Sequence, residues 1–250
     1  MKKRRVRVTK ERRDAVPRSR SVGRPAPRTP GPCYGLIVAG GRGQRYGGYK
    51  QFAQLAGRPI LVHSVRAFER CRQVLGFVVV APPRRLAVVR HMLSIHGVRR
   101  LIGVVAGGCT RADSVRAGLA SLPEQGFVAV HDAVRPLIHA GMLVKGFRVC
   151  RKRGAATYGY PVTDTLKRTK GRDLLATVDR RNLIAVQTPQ FFSLDLLRRA
   201  HAAAQRDHVQ VTDDCELVER QGVHPLWIPG PRTNIKLTTP DDLIVMQALT

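Results

Sequence analysis

Acidic side chains are scarce in this chain of 250 residues: 17 Asp and Glu stand against 44 Lys and Arg, a formal charge of +27. So basic a surface is unsuited to cationic ligands and suits polyanions, either phosphorylated small molecules or nucleic acid. Aromatic residues are also few, at 5%. The arginines are scattered over many helical segments rather than gathered with aromatics in one stripe, which argues against a nucleic-acid surface on the folded part. Long apolar runs are missing. The longest, "VLGFVVVAPP", falls far short of the roughly 20 residues that cross a bilayer, so no membrane insertion is expected. Paired cysteines are missing too: Cys33, Cys71, Cys109, Cys150 and Cys215 are odd in number and never spaced Cys-x-x-Cys, which excludes an obvious disulfide framework or zinc site and predicts a reducing, cytoplasmic setting. What is present is 43% hydrophobic residues, enough for one large α/β domain with a proper core.

Residues Met1 to Pro30 are Arg- and Pro-rich with almost no large apolar side chains. Such a segment cannot bury enough surface to fold and is expected to be a disordered tail, leaving one catalytic domain over 31–250. Mobile positive charge of this kind serves RNA binding or organellar targeting, but a plain solvated extension explains it as well.

From Tyr34 onward, short β-branched runs alternate with amphipathic segments. "YGLIVA", "VLGFVVVA", "LIGVVAGG" and "FVAVHDA" read as strands; segments near Ile60 to Arg72 and Arg84 to His96, "TRADSVRAGLASL" and "AGMLVKGFRVCRKRG" read as helices. Strands apolar throughout belong to a sheet covered on both faces, so the fold class is α/β: a doubly wound, mostly parallel, Rossmann-like sheet. Tyr160 to Leu183, two polar extended segments around "KGRD", reads as a projecting β-arm. "NIKLTTPDDL" reads as a strand end running into a helix with Thr239 as N-cap and Pro240 at its first position.

Ligands in such sheets gather at the strands' carboxyl ends, where this chain places "AGGRGQRYGGYK", "AGGCTRADS" and "HDAVRP". The first loop lacks the Gly-Lys-Ser/Thr of a Walker A motif and is not a clean Gly-x-Gly-x-x-Gly. Gly40, Gly41 and Gly43 nevertheless bare the backbone N–H groups, and Arg45 and Lys50 follow as a forked and a point cation, a combination suited to a nucleoside triphosphate. Neither a Ser/His/Asp triad nor a pair of facing carboxylates is evident. His131 has no partner His or Cys at ligand spacing and reads as a packed histidine rather than a metal ligand.

"LIVAGGRGQRYGGYKQF" resembles the signature of the sugar-phosphate nucleotidyltransferases. "GRPILVHSV", "AGGCTRADSVRAGL", "VHDAVRP", "PVTDTLKR", "TVDRRNL", "QTPQFF", "VTDDCELVE" and "NIKLTTPDDL" follow in the order of the 2-C-methyl-D-erythritol 4-phosphate cytidylyltransferase family, over Tyr34 to Thr250. The resemblance implies transfer of CMP from CTP to the sugar phosphate with release of pyrophosphate, with Mg²⁺ and in a homodimer joined through the arm. It implies catalytic roles for Arg45 and Lys50 at the CTP phosphates, and a CTP site built from Ala39, Gly40, Gly41, Gly43, Gly108, Ser114 and Asp132 as well. For the sugar phosphate it implies Asp132, Arg135, Thr165, Arg180, Thr188, Thr212 and Lys236, the arm residues coming from the neighbouring subunit. Cys109 stands where the family often carries an acidic or other polar residue, and Ala39-Gly40-Gly41 replaces the family's Pro-Ala-Ala-Gly loop.

The chemistry fits the residue types. The attacking phosphate oxygen is already an anion, so positioning and charge neutralisation matter more than a strong base. Plainer readings remain for single residues: Thr212 as the cap of "DDCELVERQ", and Arg180 with Arg181 as a solvated charge pair. A ribitol or ribulose 5-phosphate cytidylyltransferase shares the first loop and the His-Asp motif, whereas "PVTDTLKR" and "VDR" favour methylerythritol phosphate. A nucleic-acid-binding protein would leave the arm and the Thr-rich positions without a use.

Overall fold

The structure is a computed structural model that describes residues 31–41, 43 and 46–250. The expected basic tail, Met1 to Pro30, lies outside the described residues.

In chain order the strands and helices are β1 (Cys33–Val38), β2 (Gln54–Leu55), β3 (Arg58–Pro59), α1 (Ile60–Arg70), β4 (Val74–Ala81), α2 (Leu86–Ile95), β5 (Leu101–Ala106), α3 (Arg111–Ala120), β6 (Phe127–Asp132), α4 (Ala140–Arg153) and β7 (Ala155–Pro161). They continue with β8 (Leu166–Lys170), β9 (Asp173–Val178), β10 (Ile184–Ser193), α5 (Leu194–Arg206), α6 (Asp214–Glu219), β11 (Leu226–Pro229) and α7 (Pro240–Ala248). The main sheet has seven strands in the order β11-β7-β10-β6-β1-β4-β5. Strands β5, β4, β1 and β6 pair in parallel, β10 pairs antiparallel with both β6 and β7, and β11 is parallel to β7. The doubly wound, mostly parallel sheet read from the sequence is therefore present, with β10 as its one reversed member.

The all-apolar strands are buried on both sides. Ile37, Val79 and Ala129 join α1, α2 and α4 in one core cluster, while Leu36, Val78 and Val128 join α3, α5 and α6 in the other. Alternation of side chains along each strand sends neighbours to opposite clusters, and each fully buried Leu, Ile or Val contributes about 1.5–3 kcal/mol. Contact between α4 and β10 is so close that a Cβ on Gly146 would stand 2.1 Å from the Phe191 ring, which explains a glycine inside a helix.

Three readings change. The arm is its own two-stranded sheet, β8 with β9, but Tyr160 and Pro161 belong to β7 of the main sheet, where Pro161 pairs with Ile184. "NIKL" is irregular rather than a strand; Thr239 with Asp242 does form a capping box on α7, with Pro240 at its start. The helix "DDCELVE" is capped by Asp213, whose side chain accepts from the N–H of Glu216, and not by Thr212.

Candidate active site

The carboxyl ends of β1 and β6 lie side by side, Val38 opposite Asp132, and the loops that leave β1, β5 and β6 meet above them. The first loop is held from within. Gln51, buried in a short 3₁₀ turn, donates through Nε2 to the carbonyls of Ala39 (2.8 Å) and Gly41 (3.1 Å), and the Ala39 N–H donates to Val80 (2.7 Å). Gly43 has φ of +64°, and a Cβ there would stand 2.0 Å from the Gly48 carbonyl oxygen, so the fold-back of the loop requires glycine. Lys50 starts the 3₁₀ turn with its Cγ 3.5 Å from that same Cβ position. Arg45 lies outside the described residues.

The loop after β5 approaches the first one where Gly107 faces Gly40. Ser114 Oγ donates to the Thr110 carbonyl (3.0 Å) and accepts from the Gly108 N–H (3.2 Å), so this buried hydroxyl shapes the turn that Gly108 occupies. Thr110 and Asp113 form a capping box on α3.

Asp132, buried at the end of β6, is the centre of the charged cluster. Lys236 Nζ lies 2.7 Å from Oδ2, and Arg111 Nε lies 3.3 Å from Oδ1. Arg111 continues to Asp214 at 2.6 Å, and Asp214 also takes His201 Nε2 at 3.0 Å. Burial pushes the Asp132 and Asp214 carboxyls up; the Arg111 charge, joined by Lys236 at Asp132 and His201 at Asp214, outweighs it and holds both below the usual carboxylate range. The same pairing raises Arg111 against its own burial penalty. Arg135 donates from Nη1 to the Asn234 carbonyl (2.7 Å), and its burial lowers its pKa more than the nearby Asp132 charge restores.

Thr188 closes the cluster from β10. Its Oγ1 accepts from the Asp132 N–H (3.0 Å) and contacts His131 Nδ1 at 3.1 Å. His131 Nε2 faces the Arg135 carbonyl at 3.1 Å, an acceptor only, so Nε2 carries the proton and Nδ1 accepts from the Thr188 hydroxyl. The ring is fully buried, and burial pulls it down to about 3, the Asp132 charge restoring only part of the loss. His131 is thus a packed, neutral residue, as its lack of ligand partners suggested. Asn234 Nδ2 donates to the Thr188 carbonyl at 2.9 Å and brings the Lys236 segment against β10.

Of the residues singled out in the sequence, Asp132, Arg135, Thr188 and Lys236 converge directly, and Ala39, Gly40, Gly41, Gly43, Gly108 and Ser114 form the loops beside them. Lys50 approaches through α7: Asp242 is lowered because the Thr238 and Thr239 N–H groups, the Thr239 hydroxyl and the Lys50 charge together outweigh its partial burial. Thr212 stays exposed and bonds Glu216 Oε2 through its N–H (3.2 Å). Thr165 and Arg180 are exposed on the arm, where Arg180 Nη1 donates to the Thr163 carbonyl. No bond joins either of them to Asp132 or to its partners among the described residues. Sequence reading missed Arg111, Asp214, His201 and Gln51. Arg111 did carry a signal: a cation in the first turn of a helix opposes the helix dipole, and such a local conflict marks a residue with a task elsewhere.

The chain is similar to known proteins over nearly all of the folded part. The family model described as "IspD: 2-C-methyl-D-erythritol 4-phosphate cytidylyltransferase" matches residues 34–250. The 2-C-methyl-D-erythritol 4-phosphate cytidylyltransferase of Rubrobacter xylanophilus is 40% identical over 217 residues, covering 86% of this chain and 93% of that protein. Its counterpart from Halalkalibacterium halodurans is 37% identical over 216 residues, covering 86% and 95%. Among solved structures, the 2-C-methyl-D-erythritol 4-phosphate cytidylyltransferase of Thermus thermophilus aligns with a TM-score of 0.69 at 30% identity, covering 86% of this chain and 96% of that one.

Proposed function

This chain belongs to the 2-C-methyl-D-erythritol 4-phosphate cytidylyltransferase family, and from that premise we propose how its residues divide the work. It is a nucleotidyltransferase that moves CMP from CTP to 2-C-methyl-D-erythritol 4-phosphate, a step in making isoprenoid precursors. An oxygen of the sugar's 4-phosphate attacks the α-phosphorus of CTP and a new P–O–P bond forms. The bond from the α-phosphorus to the oxygen bridging to the β-phosphorus breaks, and pyrophosphate leaves with that electron pair. No proton has to be removed from the nucleophile.

The observation that carries the division of roles is the bonded set of Asp132, Lys236, Arg135 and Thr188 at the end of β6. A carboxylate held well below its usual range is a poor base. Asp132 therefore acts by accepting sugar hydroxyls, since each oxygen engaged by one cation keeps a further lone pair. Arg111 Nη2 and Arg135 Nε are buried donors without a partner among the described residues, and substrate oxygens would satisfy them. Lys50, beside the bared backbone of Gly43 in the loop that also carries Gly40 and Gly41, takes the triphosphate and offsets charge at the α-phosphorus, a role that Arg45 shares. The Gly108 and Ser114 turn, facing Gly40, forms the wall for the base.

We assign Mg²⁺ to the substrate, entering on the CTP phosphates. Magnesium commonly binds through one or two carboxylates plus substrate phosphates, and no group of three His, Cys, Asp or Glu stands together among the described residues. Thr165 and Arg180 serve the site of a second subunit, which makes the working unit a homodimer. Among the described residues no helix is long and apolar enough to cross a membrane, and all five cysteines are free thiols, which supports a cytoplasmic enzyme.

The test is pyrophosphate release with Mg²⁺, each of the four nucleoside triphosphates and a panel of sugar phosphates. Turnover is expected with CTP and methylerythritol phosphate; equal kcat/KM with ribitol 5-phosphate would overturn the substrate assignment, and the relatives do not favour that alternative.

A further inference from the structure

A second concave site lies on the side of the domain, between α1 and α4. It is a cavity of about 240 Å³ whose walls carry Arg58, His63, Arg66, Arg70 and His139, with Ile138 among its apolar residues. Three guanidinium groups and two imidazoles thus line one small hollow. His63, Arg66 and Arg70 are spaced so that they stack along one stripe of α1, and Arg58 reaches in from β3.

Among the described residues no acidic side chain pairs with this cluster. The side chains of Arg58, Arg66 and Arg70 make no hydrogen bond or ion pair among the described residues. Glu69, the one acid of α1, is turned to the backbone N–H groups of Arg99 (3.2 Å) and Arg100 (3.1 Å). His63 donates Nε2 to the Leu55 carbonyl at 2.7 Å, which leaves Nδ1 free. Like charges one helical turn apart repel, so an unoccupied hollow of this composition is electrostatically unfavourable, and a compact anion would relieve it. Forked guanidinium groups match phosphoryl oxygens in particular. The hollow is concave and local rather than a stripe, which suits a single phosphoryl group and not a nucleic-acid backbone.

It is also separate from the cleft. Pro136 and Ile138 follow the turn that carries Asp132 and Arg135, and that turn is fastened to α1 by Ser64 Oγ, 2.7 Å from the Ala133 carbonyl oxygen and 3.3 Å from that of Arg135. The cavity therefore backs onto the cleft wall without opening through the residues assigned there.

We propose that this cavity binds a phosphoryl dianion, either inorganic phosphate or a small phosphate monoester, independently of CTP. The test titrates inorganic phosphate and glycerol 3-phosphate into the full-length protein, alone and saturated with CTP, by calorimetry. Wild type loaded with CTP should still take up a phosphoryl group, told apart from any taken up at Lys236 and Arg135 in the cleft by its response to the variants that follow. Arg66→Gln with Arg70→Gln should weaken that uptake about tenfold or more, the usual loss when charge-assisted hydrogen bonds are removed, while kcat and both KM values stay within about twofold. Arg58→Gln, on the hairpin rather than the helix, should weaken it by a smaller factor. Lys152→Gln with Arg153→Gln removes the same net charge from α4 and should change uptake by less than about twofold. Whichever of the two phosphates binds more tightly identifies the source of the natural occupant. Undiminished affinity in the Arg66/Arg70 double variant, equal losses in both doubles, or no uptake by the CTP-loaded protein would each overturn the proposal.

Discussion

The Asp132 cluster and the β8–β9 arm both carry residues assigned to the sugar phosphate, and they hold them in opposite ways. In the cleft, Asp132, Thr188 and His131 are buried, and each carboxylate is met by a cation or an N–H from another element: α3, α5, or the segment before α7. In the arm nearly every residue is exposed, Leu174 by 68% and Leu175 by 63%, and its ion pair, Arg181 with Asp179, lies at the surface. An isolated hairpin is marginal in water, and two exposed leucines add apolar surface that none of the described residues covers. The chain thus fixes its Asp132 cluster by its own contacts but, among the described residues, gives Thr165 and Arg180 no comparable set of partners.

The sharpest way to break this contrast is to unpair the cleft. Arg111→Ala leaves Asp132 and Asp214 without their shared cation and should cost about 3–5 kcal/mol, measured by urea unfolding, whereas Arg181→Ala in the arm should leave the midpoint unchanged. A loss below about 1 kcal/mol for Arg111→Ala would mean that the cluster does not hold the cleft.

Next comes the division of one site between two chains. Lys50→Ala and Arg180→Ala should each lower kcat by about 10² or more with the fold intact. Mixed under subunit exchange, half the dimers are heterodimers and half of their sites carry neither defect, so roughly a quarter of wild-type activity should return. Two inactive variants whose verified exchange restores nothing would confine Arg180 to its own subunit.

A smaller effect separates the regions by pH. Folded His131 titrates at about 3, below the ordinary histidine value of 6.5. Because the folded value is depressed, the contribution is fully present above pH 6.5 and is lost as pH falls from there toward 3. Stability should decline by about 1.4 kcal/mol per pH unit within that window, roughly 2 kcal/mol between pH 7 and pH 5, and His131→Gln should flatten the slope by about one proton. An unchanged slope would show that the ring is not kept neutral. The lowered Asp132 and Asp214 carboxyls lose their contribution only at still lower pH, below the ordinary carboxylate range.

The smallest change within a protomer belongs to the arm. Leu174→Ser with Leu175→Ser should shift protomer stability by no more than about 0.5 kcal/mol, yet sedimentation should show the dimer giving way to protomers. A dimer that persists at the same concentration would place its interface elsewhere.

The readable parts of the sequence were those governed by local pattern. Unbroken apolar runs marked β1, β4, β5 and β6, and the capping signals at Thr239 and Pro240 marked the start of α7. Strand β10 was hidden because Pro189 interrupts it, and the register slips between Val186 and Gln190 where that proline sits. "NIKL" looked like a strand by composition, but the side chain of Asn234 bonds Gln187 Oε1 and the Thr188 carbonyl, and tertiary contacts replace a ladder. The cleft was legible where motifs carried it, at Asp132, Arg135 and Lys236. Arg111 and Asp214 are 103 residues apart, and no local signal reports such a pairing. Gln51 gave no signal either; its importance comes from the two carbonyls that a loop ten residues earlier turns toward it.

The reversed direction of β10 has a consequence for how this architecture can vary. Because β7 and β10 are antiparallel neighbours with Pro161 opposite Ile184, the arm leaves and re-enters the sheet at adjacent points, and its tip at Gly171 is free of the core. Inserting or deleting residues in matched pairs at that tip would change the arm's reach by about 3.4 Å per step while keeping each side chain on its face. The reach of the arm can therefore drift or be engineered at Gly171 without disturbing the strand that presents Thr188.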